Sequence, residues 1–236
     1  MLGKAGFIGQ NKPSLRPETP HPGSSADSLA VPCAPVDVKE FYDNQDFPWT
    51  QKLEANWKKV RAELDGLAGE DFSQWPRSEM FKTDWNLYLF FAPGWRFEEH
   101  CERCPETTKL VDSIPGVKMA TFTWLKPDSH ILPHEGFTSM VLRAHLALRV
   151  PDGDCALRIG SSVRPWEEGK VMVFDDMNEH EAWNRGKEHR VVLMIDFLRP
   201  FKHRTSTLGY LRHRVAPHPD YKEAYDRAIQ EAFVKK

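Results

Sequence analysis

The 236-residue chain has no apolar run approaching the ~20 residues that cross a bilayer. Its N-terminus, MLGKAGFIGQNKPSLRPETP, lacks the continuous apolar core of a secretory leader. The expectation is a soluble, cytoplasmic protein that does not engage a membrane. Charge of one sign is also missing: 32 Lys and Arg stand against 34 Asp and Glu, for a net charge of -2. No basic run or helical stripe offers a landing site for phosphates, so nucleic acid is not an expected partner. Cysteine is scarce. Cys33, Cys101, Cys104 and Cys155 are too few for a disulfide framework in a chain this long. The Cys101-x-x-Cys104 pair has no second pair or His-x₃₋₅-His at finger spacing, and is a weak signal for a structural or redox site.

What is present divides the chain into three. Residues 1–36 hold Pro13, Pro17, Pro20, Pro22, Pro32 and Pro35 among Gly and Ser, a composition that buries too little apolar surface to order itself, and read as a flexible arm. Residues 37–200 read as the catalytic domain. It opens with Leu53, Trp57, Val60 and Leu64 at i, i+4, i+7 and i+11, one stripe of a helix that packs against the rest of the domain. Residues 201–236 form a polar tail in which Tyr221, Ala224, Ala228 and Ala232 keep helical spacing after Pro219.

Inside the domain, WNLYLFFAPGW (Trp85 to Trp95) reads as a buried strand ended by a Pro-Gly turn. From Val117 onward come VKMATFTWL, HILPH, VLRAHLALRV, KVMVF, HEAW and RVVLMIDF. All are short, rich in β-branched or aromatic residues and bounded by turn formers. Strands without long helices between them predict a mostly β, antiparallel barrel or sandwich.

Two strands carry charge on one face. In VLRAHLALRV the period of two separates Leu142, Ala144, Leu146 and Leu148 from Arg143, His145, Ala147 and Arg149. If the aliphatic side packs on outer layers, Arg143 and His145 line the barrel's interior and can meet an anion there; a solvated polar face is the equal alternative. In RVVLMIDF both faces are apolar, so Arg190 enters a buried strand and needs a counter-charge, either a carboxylate ligand or an internal Asp or Glu. His134 and His180 each sit at a strand edge beside a turn. Singly, each reads as a surface or hydrogen-bonded residue; together on one barrel they suit a divalent iron with open positions for O₂.

These residues carry a resemblance. PDSHILPHEGFTSMVLRAHLALRVP, WEEGKVMVFDDMNEHEAWN and HRVVLMIDFLRP are similar to the aspartyl/asparaginyl β-hydroxylase family of Fe(II)- and 2-oxoglutarate-dependent oxygenases, over about Phe41 to Pro200. The resemblance implies a double-stranded β-helix, the cupin-like jelly roll, with flanking helices. It implies that His134 and His180 ligate Fe(II), and that Arg190 pairs with the distal carboxylate of 2-oxoglutarate, helped by His145 and the hydroxyl of Thr123. Arg143 would face the substrate. Gly136 stands two places after His134, where most oxygenases of the wider superfamily carry a carboxylate ligand; this family resembles the chain in lacking it, with water in the third position. The implied reaction hydroxylates an unactivated C–H with O₂ and releases succinate and CO₂.

Thr121 stands where the animal enzyme, as aligned, has a substrate-binding lysine, and Met177 replaces the serine of a DDS run. A small amino-acid-like, peptide or biosynthetic substrate is therefore expected, bound at a mouth shaped by residues 70–115 with Arg96 and Arg103 as contacts. Three alternatives stand beside this reading: halogenation at the open iron position, lipid hydroxylation, and a metal-free jelly-roll binding module.

Overall fold

The computed structural model describes residues 39–75, 81–82, 84–136 and 138–200. The expected N-terminal arm and C-terminal helix lie outside the described residues. Within them, chain order runs β1 (Phe41–Tyr42), α1 (Trp49–Asp65), β2 (Ser73–Gln74), β3 (Phe81–Lys82), β4 (Trp85–Ala92), β5 (Trp95–Arg96), α2 (Glu98–Arg103) and α3 (Pro105–Asp112). The remaining strands are β6 (Val117–Leu125), β7 (Ser129–His134), β8 (Val141–Arg149), β9 (Cys155–Ile159), β10 (Ser162–Pro165), β11 (Val171–Phe174), β12 (His180–Asn184) and β13 (Arg190–Leu198).

The strands pair antiparallel into two sheets, ordered β1-β11-β8-β13-β6-β4-β2 with β5 beside β4, and β10-β9-β12-β7-β3. The fold is mostly β and antiparallel, as the strand spacing predicted, and is the jelly roll that the resemblance implied. The β9–β10 hairpin and the short helices α2 and α3 were not anticipated, because four- or five-residue strands and helices of six and eight residues carry too few periods to read.

Two apolar layers follow from the alternation. Leu142, Ala144, Leu146 and Leu148 of β8 and Val191, Leu193, Ile195 and Phe197 of β13 face outward, onto Leu53, Val60 and Leu64 of α1 and Leu110 and Val111 of α3. Each such side chain, fully buried, contributes about 1.5–3 kcal/mol. The opposite faces, with Val192 and Met194, meet Ile131, Leu157, Ile159 and Ala182 of the smaller sheet. Helix α1 thus covers the back of the larger sheet, and β8 and β13 turn Arg143, His145 and Arg190 into the space between the sheets. Arg149, expected on that same face, instead pairs with Asp65 of α1, because the β8–β13 register shifts beside it. Among the described residues no helix is long and apolar enough to cross a membrane.

Candidate active site

A narrow cavity between the sheets is lined by His134, His180, His145, Arg143, Arg190 and Thr123, together with Trp85, Phe174, Met194 and aliphatic residues. All six residues singled out in the sequence therefore meet in one place. His134 and His180 are cross-strand partners on β7 and β12, with ring centroids 4.1 Å apart. A bulge makes this possible. Between His180↔His134 and Ala182↔Ile131 one strand advances two residues and the other three. The extra residue falls at Leu132–Pro133, where Pro133 has no N–H for the ladder. Strict alternation from the inward Ile131 would turn His134 outward; the bulge returns it to the inner face.

The ring orientations are set by backbone. His134 Nδ1 lies 2.7 Å from the Leu132 carbonyl oxygen and His180 Nδ1 2.9 Å from that of Asn178. A carbonyl only accepts, so each Nδ1 carries a proton, and in the neutral ring Nε2 carries the lone pair. Burial, and then the neighbouring His134 and Arg143 charges, push His180 down to about 3, so its ring is neutral at ordinary pH.

Deeper in the cavity Arg190 is 1% exposed. Its Nη1 donates to Thr123 Oγ1 at 3.0 Å and its guanidinium lies 4.6 Å over the Trp166 ring, but Nε has no partner. No carboxylate among the described residues pairs with it. Desolvation pushes it down to about 10, which leaves it a cation at neutral pH. His145 lies nearby on the same inner face. Its Nδ1 accepts from Trp166 Nε1 at 3.4 Å, so Nε2 carries the proton, and that N–H also lacks a partner. Burial, then the charges of Arg190, Arg143 and His180, hold it well below the usual histidine range and therefore neutral. Two buried, orphaned donors, one of them cationic, have the chemistry to pair with an anion.

Arg143 lines the cavity with its charge already balanced. Its Nε and Nη2 reach both oxygens of Asp196 at 2.7 and 2.9 Å, and Nη2 lies 3.2 Å from Asp176. Arg143 and Asp196 are direct cross-strand partners, which accounts for the fork. Asp176 is 2% exposed, and burial raises it to about 6 against the pull of Arg143. Gly136 explains its place: a Cβ there would fall 2.5 Å from the Asp176 Cγ, and the Gly136 N–H donates to the Asp176 carbonyl at 2.6 Å. The side chain missing at 136 is thus replaced in space by a carboxylate from the loop between β11 and β12. Among the described residues no three His, Cys, Asp or Glu side chains form a metal-holding group, so a metal here would rest on the two imidazoles.

Residues 54–200 match the model of the Aspartyl/Asparaginyl beta-hydroxylase family. The chain belongs to this family. It is 35% identical over 187 residues to the ornithine lipid ester-linked acyl 2-hydroxylase of Rhizobium tropici, covering 75% of this chain and 66% of that protein. To the human aspartyl/asparaginyl beta-hydroxylase it is 34% identical over 160 residues, which is 64% of this chain and 21% of that protein. The chain thus spans just under two thirds of the first relative and about a fifth of the second. A 2OG-Fe(II) oxygenase-family oxidoreductase from Burkholderia pseudomallei overlays with a TM-score of 0.43 at 15% identity, covering 64% of this chain and 91% of that one. That likeness is too slight to inform the chemistry.

In this family member the expected contacts Arg96 and Arg103 lie elsewhere, although Trp85 of the same stretch lines the cavity. Arg96 pairs with Glu98 and Asp112, Arg103 pairs with Asp71, and neither lines the cavity. They were read from their position ahead of the barrel, whereas α2 and α3 carry this segment to the back of the larger sheet. Cys101 and Cys104 are free, buried thiols of the outer core. Burial pushes Cys104 up to about 12, so it packs as an apolar residue. Thr121 is buried, its hydroxyl 3.0 Å from the Tyr88 carbonyl oxygen. The site residues that sequence reasoning missed are Asp176, Asp196 and Trp166. Only the Asp175-Asp176 pair beside His180 and the alternation of β13 hinted at the first two.

Proposed function

We propose that this family member is an Fe(II)- and 2-oxoglutarate-dependent dioxygenase. It hydroxylates an unactivated C–H of a small amino-acid-like, peptide or biosynthetic substrate, releasing succinate and CO₂. The observation that carries the reading is the buried Arg190, cationic, without a carboxylate partner, and set with the orphaned His145 N–H below a pair of lone-pair-bearing imidazoles.

The residues present fit both groups. His134 and His180 would hold the metal through their Nε2 atoms, since both Nδ1 atoms are engaged by backbone carbonyls. Arg190 and His145 would hold the far carboxylate of the cosubstrate, with Thr123 fixing the guanidinium. When bound, ferrous iron and 2-oxoglutarate supply the O₂-activating chemistry that puts a hydroxyl on carbon. The chain's own contribution is orientation and dryness. Trp166 and Phe174 exclude water beside His145, and the Asp196–Arg143–Asp176 network fixes the wall that faces the substrate.

The similarity to the Rhizobium tropici protein favours a second substrate, an acyl chain of a lipid. Aerobic incubation with Fe(II) and 2-oxoglutarate tests the reaction, with succinate as the readout. Adding candidate amino acids, peptides and acyl lipids, with and without chloride, and weighing the products separates one-oxygen gain from chlorination and one substrate class from the other. Protein that binds neither Fe(II) nor 2-oxoglutarate by calorimetry is a binding module instead.

A further inference from the structure

We propose that Arg164 determines specificity by receiving an anionic group, carboxylate or phosphate, carried by the substrate. This rests on the oxygenase reading, which makes the cavity a substrate site. Among the described residues every arginine but two has a carboxylate within ion-pair distance. One exception is Arg190, buried and accounted for by the cosubstrate. The other is Arg164, exposed on β10.

Its place follows from register. Arg164 is the cross-strand partner of Leu157, which is in turn the partner of Ala182, and both of those line the cavity. Paired residues project to one face, so Arg164 stands on the cavity side of the smaller sheet, on its outermost strand. There its guanidinium lies 4.1 Å over the ring of Phe41, on the outermost strand of the larger sheet. Phe41 contacts Phe174 at 6.1 Å, and Phe174 contacts His180 at 6.4 Å. Three ring contacts therefore lead from the free cation to the metal-facing imidazole.

The seam is fastened, which keeps the cation in position. The Glu40 carboxylate accepts from Ser161 N–H at 2.7 Å, from the Ser161 hydroxyl at 3.1 Å and from the Ser162 hydroxyl. Gly160, at φ +53°, gives the room for it, since a Cβ there would overlap Glu40. Glu40 is thus spent on the hairpin. Arg143, nearer the imidazoles, is balanced by Asp196 and Asp176. The Phe41 ring face accepts no N–H bond of the kind a carboxylate does, so the Arg164 fork keeps donors for a carboxylate or phosphate. The substrate this favours carries its reacting carbon at the imidazoles and an anion at the seam.

The test uses the full chain loaded with Zn(II) and 2-oxoglutarate, titrated calorimetrically with N-acetyl-L-aspartate, O-phospho-L-serine and the neutral N-acetyl-L-asparagine amide. The expected result is binding of at least one anion and not of the neutral amide, with the two arms telling carboxylate from phosphate. Arg164→Ala should weaken that binding about tenfold or more, Arg164→Lys less, and Arg164→Glu should abolish it. Arg164 is exposed, so these variants keep their core, and unchanged 2-oxoglutarate affinity verifies the fold in each. Absence of anion binding in the unsubstituted chain, or its survival in Arg164→Ala, overturns the proposal. Failure of 2-oxoglutarate to bind overturns the oxygenase reading, and the anion titrations of the same protein still decide on Arg164.

Discussion

Replacing Arg190 by methionine separates a ligand-binding charge from a structural one, because the two roles predict different effects on stability. In the ligand-free chain the guanidinium donates one hydrogen bond to Thr123, at about 1 kcal/mol net. It also keeps a buried cation without a carboxylate and an orphaned Nε, which disfavours folding. The terms nearly cancel, so Arg190→Met should change ligand-free stability by no more than about 1 kcal/mol, and methionine fills the volume. Binding should respond very differently. Loss of a charge-assisted hydrogen bond costs about 1.5–3 kcal/mol, or roughly one to two decades in affinity. At a 2-oxoglutarate concentration 100 times the dissociation constant, the parent chain gains about 2.7 kcal/mol, and a variant bound 100-fold more weakly gains about 0.4 kcal/mol. For a chain of this size that is a melting shift of about 5–10 °C against about 1 °C. Thermal melts of the Zn(II)-loaded protein with and without 2-oxoglutarate read both quantities. Equal ligand shifts in parent and variant would refute the reasoning, as would a ligand-free variant destabilised by more than about 3 kcal/mol, the signature of a broken internal ion pair.

Gly136→Asp, which installs the carboxylate common among other oxygenases, should destabilise the fold by about 1–3 kcal/mol, since its Cβ would meet Asp176 at 2.5 Å and add a like charge. Adding Asp176→Gly should restore the urea midpoint, and a double variant no more stable than the single one would count against the spatial replacement. Glu63 caps α3, its two oxygens accepting from Glu106 N–H, Thr107 N–H and the Thr107 hydroxyl at 2.7, 2.8 and 2.6 Å. Glu63→Ala should cost about 1–2 kcal/mol in urea unfolding. In metal-free protein His180 is neutral in the native state down to about 3, whereas the unfolded chain protonates below 6.5. The unfolded state then binds more protons, so stability falls as pH drops from 6.5 toward 3, and His180→Asn should make that slope shallower in melts across the range.

Alternation and composition are local properties, and they were enough to read the barrel. Period two in β8 separated an aliphatic face from one bearing Arg143 and His145 without saying which turned inward, β13 read as buried on both faces, and the stripe Leu53, Trp57, Val60, Leu64 marked α1. The hairpin β9–β10 stayed unread, and with it Arg164 and the seam to Phe41, because its strands are too short to show a period. The partners of Arg143 were also hidden: Asp196 lies 53 positions away in sequence and meets it only through strand pairing.

What the chain's own order of residues determined was the set of chemically able groups and the faces most of them occupy, since side-chain period follows from backbone geometry. His134 is where that logic ends. Counted from Ile131 its side chain belongs on the outside, and only the bulge at Pro133, a consequence of how β7 pairs with β12, turns it toward His180. The same holds for Asp176, which reaches from the loop after β11 into the space of the side chain absent at Gly136 in the loop after β7. Tertiary structure decided both, because register is a property of two strands, the meeting of two loops is a property of the whole fold, and no single segment encodes either.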